Sequence, residues 1–324
     1  MGRRTLVTGA GGFVGAALVR RLLEEGHEVV GLVAPGADLW RLADLSGSLE
    51  LVELDLREPD GVRRAFASPG PEWVFHLAAH GGYSWQSERR RIFATNLGGT
   101  INVLEAAGEV GSEAVLCAGS SSEYGRKDHP PAESELPEPN SNYAVAKAAA
   151  TLYASFLGRD RGLPVATLRL YSVFGPFEEP GRLVPALVVH GLRGTLPPLV
   201  DAATARDFVY LDDAVSAFLL AAETAVTPGE VFNVATGIET TLAAAVEGAR
   251  ALFGLVAEPV FGSMPPRNWD THSWVGDPSH IAAVLGWSPA VSFQQGLART
   301  AAWLEGRPDL WARYGLSRPG DAAP

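Results

Sequence analysis

A single cysteine in 324 residues closes off two kinds of chemistry at once. Cys117 has no intramolecular partner for a disulfide, and one thiol makes a thiolate metal site implausible. It sits in Ala114-Val115-Leu116-Cys117-Ala118, a short apolar run, and reads as a core residue. Basic charge is also scarce: 26 Lys and Arg against 37 Asp and Glu leave a net charge of -11. Binding to a polyanion draws its affinity from clustered cations, and the only clusters here are Arg3-Arg4 and Arg89-Arg90-Arg91, so no nucleic-acid partner is expected. No run approaches the ~18 apolar residues of a spanning helix. Met1-Gly2-Arg3-Arg4 leads straight into a strand without the apolar stretch of a secretion signal, so a cytoplasmic protein with no membrane partner is expected. His27, His76, His80, His129, His190, His272 and His280 show no ligand spacing, and no metal is expected.

What the chain does have is a 47% hydrophobic content, arranged in a rhythm. Apolar runs bounded by turn residues recur at Thr5-Leu6-Val7, 29–33, 49–54, 73–77, 114–118 and 165–170. Stretches with helical spacing lie between them. Leu18 and Leu22 share a face between Phe13 and Glu25, with Gly26 placed to end the helix; Leu97, Ile101, Leu104 and Ala107 repeat the pattern. Buried-type strands alternating with helices predict an α/β fold: a doubly wound parallel sheet with a smaller C-terminal substrate-binding region. Residues 1–174 are assigned to a dinucleotide-binding domain, joined by strands near 207–235. Residues 175–206 and 236–304 form the substrate region, and 305–324 a C-terminal tail.

Thr8-Gly9-Ala10-Gly11-Gly12-Phe13-Val14-Gly15 follows the first strand and opens the first helix. Gly9 permits the tight turn, Gly12 lets backbone approach a pyrophosphate, and Gly15 allows helix and strand to pack closely; the helix N-terminus offers N–H donors to the anion. The second strand of such a unit usually ends in a carboxylate that accepts the ribose hydroxyls of NAD. Here it ends in Val33. That removes a charge which would repel a 2′-phosphate, and Arg41 follows within reach of one, so the expectation is NADP, with NAD as the alternative. Asp55, after the third strand, is placed to accept a hydrogen bond from the adenine amine.

Tyr143 and Lys147 lie four residues apart and stack one turn apart on a helix. A phenol with an ordinary pKa of ~10 is a poor base at neutral pH, and a neighbouring ammonium favours the phenolate. The pair reads as a proton-transfer device.

With the glycine loop and this pair in place, residues 4 to 304 resemble the extended short-chain dehydrogenases, in particular the nucleotide-sugar epimerases, dehydratases and 4-ketoreductases. His76-Leu77-Ala78-Ala79, Asn96, Gly119 to Gly125, Leu168 to Pro176 and Arg206-Asp207-Phe208-Val209-Tyr210 carry the likeness. The resemblance implies that Ser120 orients the substrate oxygen, that Tyr143 exchanges the proton and that Lys147 also holds the nicotinamide ribose. It sets Phe13, Val14, Leu56, Leu77, Ala78, Ala79, Asn96, Tyr171 and Val173 along the cofactor. His80, Ser121, Ser122 and Ser172 fall beside the substrate, and Arg206 and Arg267 on its diphosphate, a task suited to planar guanidinium groups. A nucleoside-diphosphate sugar is thus the expected partner, and a homodimer through the helices around 96–107 and 142–157 the expected assembly.

The family's dehydratases carry Asp-Glu where this chain has Ser121-Ser122, and dehydration needs that extra acid and base. Glu123, one residue out of register, leaves only a narrow opening for it. Reduction of a 4-keto-6-deoxy sugar nucleotide, as in enzymes resembling the CDP-abequose and CDP-paratose synthases, is expected from the missing acceptor at Val33. Two alternatives stand beside it: NAD-dependent 4-epimerisation, and reduction of a carbonyl compound that carries no nucleotide.

Overall fold

A computed structural model describes residues 2–45, 47–67, 70–83, 85–264 and 274–317. The first half alternates β1 (Arg4–Thr8), α1 (Phe13–Glu24), β2 (Glu28–Val33), β3 (Glu50–Glu53), α2 (Pro59–Ala67), β4 (Trp73–His76), α3 (Arg89–Phe93), α4 (Thr100–Val110), β5 (Ala114–Ser120), α5 (Asn142–Arg161) and β6 (Val165–Leu170). The second half carries β7 (Ser172–Phe174), α6 (Leu183–Leu192), β8 (Ala205–Arg206), β9 (Phe208–Tyr210), α7 (Leu211–Glu223), β10 (Glu230–Val234), β11 (Thr240–Thr241), α8 (Leu242–Phe253), α9 (Ser279–Leu285) and α10 (Phe293–Glu305).

Seven strands form one parallel sheet in the order β10-β6-β5-β4-β1-β2-β3. The order reverses between β1 and β4. Crevices for ligands in such sheets open at the carboxyl ends of the strands on either side of that point. The strands are apolar because both faces are covered: α1 and α7 pack on one, α2, α4 and α5 on the other. Leu18, Val19 and Leu22 of α1 meet Phe218 of α7 in the first layer, while Val103, Leu104, Ala154 and Leu157 fill the second. A third cluster, around Phe174, Val188, Val246 and Leu297, is the core of the smaller region.

Two boundaries differ from the sequence expectation. Of the later strands only β10 joins the main sheet; β9 pairs instead with β7 in a separate two-stranded ladder. The chain has left the sheet by Tyr171, whose N–H still reaches Val234 O, and Ser172 N–H then turns to Asp207 O. The expected tail from 305 is packed as far as 317. Leu310 and Tyr314 are buried, the Tyr314 hydroxyl donates to Glu178 O at 2.7 Å, and Arg313 pairs with Asp38 at 2.7 Å. Aromatic surface outweighs position in the chain: Tyr314 wedges among Trp40 and Trp303.

Candidate active site

The glycine loop forms as its residues require. Gly9 has φ +69°, and a Cβ there would lie 2.7 Å from Ala78 N, so the turn rests on the backbone that follows β4. At Gly15 a Cβ would lie 2.2 Å from Gly9 O, which fixes how closely α1 meets the loop. A Cβ on Gly12 would meet, among the described residues, only Gly9 O at 3.1 Å, which leaves the outer side open. Gly12 caps α1 without a side chain, and the N–H groups of Phe13 and Val14 in the first turn have no partner within the helix. The donor set and the open glycine fit a pyrophosphate, so the site suits a dinucleotide.

Behind the loop runs a buried chain of polar contacts. Thr8 Oγ1 meets His76 Nδ1 at 2.7 Å, His76 Nε2 meets Thr100 Oγ1 at 2.9 Å, and Thr100 donates to Asn96 O at 2.6 Å. Burial first, and the Lys147 charge second, hold the imidazole neutral, its pKa down to about 3. Asn96 lies in a π-helical turn over residues 94–99, between α3 and α4, where a continuous helix was expected. Its side chain accepts from His80 N–H at 2.8 Å and donates to His80 O at 2.7 Å, so it fixes the loop after β4. His80 therefore takes part through its backbone. It does not line the substrate cleft, and its ring lies toward Arg91.

The cofactor-side acids and bases also depart from expectation. Arg41 is not a free cation beyond β2: it is buried, donates to Phe177 O at 2.8 Å and pairs with Glu179 at 3.1 Å, over the ring of Trp40. Asp55 is held by Arg57, which donates to both its carboxylate oxygens at 2.5–3.0 Å and keeps its pKa low. Val33 is buried at the end of β2, and Leu56 is buried where a Cβ on Gly99 would touch it at 3.2 Å.

Ser120, Tyr143 and Lys147 converge from two elements. Ser141 caps α5 by accepting from Ala144 N–H at 3.1 Å, and the alanines that follow carry the helix past Tyr143 and Lys147. Lys147 is buried and donates to Ala118 O on β5. Ser120 ends β5 and caps a 3₁₀ turn over 121–124, with its hydroxyl 2.8 Å from Ser122 Oγ and its N–H donating to Glu123 Oε1 at 2.8 Å. Burial, with the Glu123 charge next, pushes the Tyr143 phenol up to about 12, while a hydrogen bond with Ser120 acts the other way. The lowering expected from a neighbouring ammonium does not prevail. Lys147 is directed at a backbone carbonyl, and burial makes its own ammonium more acidic than usual.

Tyr143 faces a cleft of ≈ 790 Å³ between the sheet and the smaller region. Ser120, Ser121, Ser122, Ser172 and Arg206 line it together, and so do Tyr171 and Val173, which the resemblance had set along the cofactor. Arg206 donates to Ala205 O at 2.7 Å and lies over the ring of Trp274, 5.3 Å from its centre. Arg267 lies outside the described residues. Other lining residues escaped sequence reasoning. Tyr83 comes from the Gly81-Gly82 loop, and Glu178 and Arg182 come from the loop between β7 and α6. The only sign was an acid and an arginine four apart after Gly175-Pro176. Glu178 is buried 3.6 Å from Arg182, and burial pushes its carboxyl up to about 8.

Glu123, the one acid near the dehydratase positions, is fully buried and paired with Arg169 at 2.8 Å. Both its oxygens are engaged, so it is closed to substrate.

These features define a doubly wound α/β protein of the dinucleotide-binding type, with Ser120 and Tyr143 lining a mixed polar and apolar cleft and Lys147 buried on the same helix as Tyr143. The NAD dependent epimerase/dehydratase family matches residues 5–235, and the chain belongs to that family. It is 34% identical to the UDP-glucose 4-epimerase of Mycolicibacterium smegmatis over 94% of this chain and 99% of the relative. The UDP-glucose 4-epimerase of Thermotoga maritima, solved with UDP-glucose, superimposes with a TM-score of 0.84 at 31% identity, covering 93% of this chain and 98% of its own. The Thermus thermophilus UDP-glucose 4-epimerase, solved with NAD, gives 0.82 at 31% identity, covering 94% and 99%.

Proposed function

We propose that this protein is an NAD-dependent 4-epimerase of a UDP-hexose. The observation that carries the reading is the end-to-end likeness to UDP-glucose 4-epimerases, at 34% identity in sequence and with TM-scores of 0.82 and 0.84 in structure. It favours the alternative over the 4-keto reduction that Val33 first suggested. The NADP expectation behind that suggestion drew also on Arg41 as a phosphate ligand, and Arg41 is spent on Glu179 and Phe177. Dehydration lacks its acid and base, since Ser121 and Ser122 replace them and Glu123 is sealed in an ion pair.

Gly9, Gly12 and the first turn of α1 would hold the NAD pyrophosphate, and Lys147 would bind its nicotinamide ribose. When bound, the cofactor supplies a reversible hydride acceptor and, in its oxidised form, a positive charge that makes the nearby phenol more acidic. Tyr143 takes the proton from the sugar C4 hydroxyl and returns it to the same oxygen after the sugar has turned over. Ser120 holds that oxygen through its hydroxyl. Arg206 anchors the diphosphate with a guanidinium fork, and this lets the hexose rotate without leaving the cleft.

The test is direct. Wild-type protein with NAD should interconvert UDP-glucose and UDP-galactose by proton NMR with no net change in reduced nicotinamide. Steady consumption of NADPH on a 4-keto sugar nucleotide, with no interconversion, would return the reading to reduction. NAD should also bind about tenfold or more tighter than NADP, a difference of ~1.4 kcal/mol; a preference for NADP contradicts the reading of Arg41.

A further inference from the structure

We propose that Glu123 is a positioning residue of the proton relay: its buried carboxylate, paired with Arg169, fixes Ser120 beside Tyr143 and faces both Tyr143 and Lys147. The inference rests on Tyr143 being the proton carrier in the proposed function.

The geometry leaves the carboxylate no other partner to seek. Oε1 accepts from Ser120 N–H at 2.8 Å and Oε2 from Arg169 Nε at 2.8 Å, with the side chain fully buried. Arg169, on β6, also donates to the Tyr124 hydroxyl at 2.7 Å, and Tyr124 donates to Asn233 Oδ1 on β10 at 2.8 Å. Three adjacent elements of the sheet thus brace one acid. A buried ion pair adds little net stability over apolar packing, so its presence one residue from the substrate-facing serines points to a task other than holding the fold. That task is visible at the neighbours. Glu123 raises the pKa of Tyr143 and opposes the burial that acidifies Lys147. The other groups acting on Tyr143 are the Ser120 hydroxyl, Arg182 ahead of α6 and Tyr83 from the loop after β4; those acting on or beside Lys147 are Cys117 and His76. Glu123 alone among these acts on both and also bonds to the backbone of Ser120. In the resting protein it favours a protonated phenol and a charged lysine.

Glu123→Gln keeps an oxygen for Ser120 N–H and removes the charge. Because it strands Arg169, the double variant Glu123→Gln with Arg169→Gln, which leaves no buried charge unpaired, is measured beside it. In the NAD-loaded proteins the Tyr143 phenolate is followed by ultraviolet absorbance against pH, with the same protein carrying Tyr143→Phe subtracted. Its midpoint should fall by about one pH unit or more in both variants. The acid limb of kcat should move down with it while KM stays near wild type. A phenolate fraction equal to wild type at every pH, with only the melting temperature lowered, overturns the proposal and leaves Glu123 a structural residue. The phenolate titration needs no substrate, so it decides this point even if the wild-type protein turns over no UDP-hexose, an outcome that would sink the proposed function instead.

Discussion

Gly15→Ala is the smallest change that tests the cofactor site. The added methyl would stand 2.2 Å from Gly9 O and 2.9 Å from Gly9 C, whereas carbon contacts are comfortable near 3.5 Å or beyond. Both obstacles are backbone, so no side-chain rotation relieves the overlap; α1 and the loop must part by about 1 Å. Overpacking of this kind costs about 1–3 kcal/mol. For a chain of this size that lowers the melting temperature by roughly 2–4 °C per kcal/mol. The same displacement moves the N–H groups of Phe13 and Val14 off the pyrophosphate, so NAD affinity should drop roughly 5- to 150-fold. The assay is a melt with and without NAD. At 100 times Kd a ligand stabilises the wild type by about 2.7 kcal/mol, and the variant should forfeit about 0.9–2.4 kcal/mol of that. Gly108→Ala is the control. It lies in α4, where a Cβ meets only Leu163 Cδ1 at 3.6 Å, and should stabilise the protein by roughly 0.5–1 kcal/mol without altering the NAD shift. If Gly15→Ala binds NAD as tightly as wild type, the close approach of α1 to Gly9 does not shape the cofactor site.

Tyr143→Phe should reduce turnover by about 10²–10⁴ while leaving NAD affinity nearly unchanged, as measured by calorimetry and NMR turnover; retained activity refutes the assigned proton carrier. Glu178 titrates higher in the folded than in the unfolded chain, from 4.5 up to about 8. The native state then holds the extra proton, so stability falls as pH rises across that window, by at most about 1.4 kcal/mol per unit, and is level above it. Glu178→Gln should flatten this slope in urea melts taken between pH 5 and about 8, and an unchanged slope assigns the titration elsewhere. On α5, Val145, Leu152 and Phe156 are exposed along one helix. If that stripe seats a second copy, Phe156→Glu should convert a dimer to a monomer in sedimentation velocity, and a wild-type monomer refutes the assembly.

Much of this protein was legible in one dimension because its signals are local. The glycine loop needs only a strand before it and a helix after it, and Gly9 makes the tight turn and Gly15 the close packing that their spacing assigned. Tyr143 and Lys147 stack because a helix repeats every 3.6 residues, and Ser141 and the alanines make that helix. The alternation of apolar runs and amphipathic stretches likewise determined a parallel sheet covered on both faces. What only the tertiary structure decided are the partners of charges distant in sequence. Arg41 is 138 residues from Glu179, and nothing around residue 41 tells that its guanidinium is spent. Glu123 is 46 residues from Arg169, and only the β5–β6 pairing turns a loop acid into a sealed ion pair. Burial is the common cause. It raised the phenol of Tyr143, where spacing alone foretold the reverse, because desolvation depends on everything packed around a group and the sequence records only what precedes and follows it.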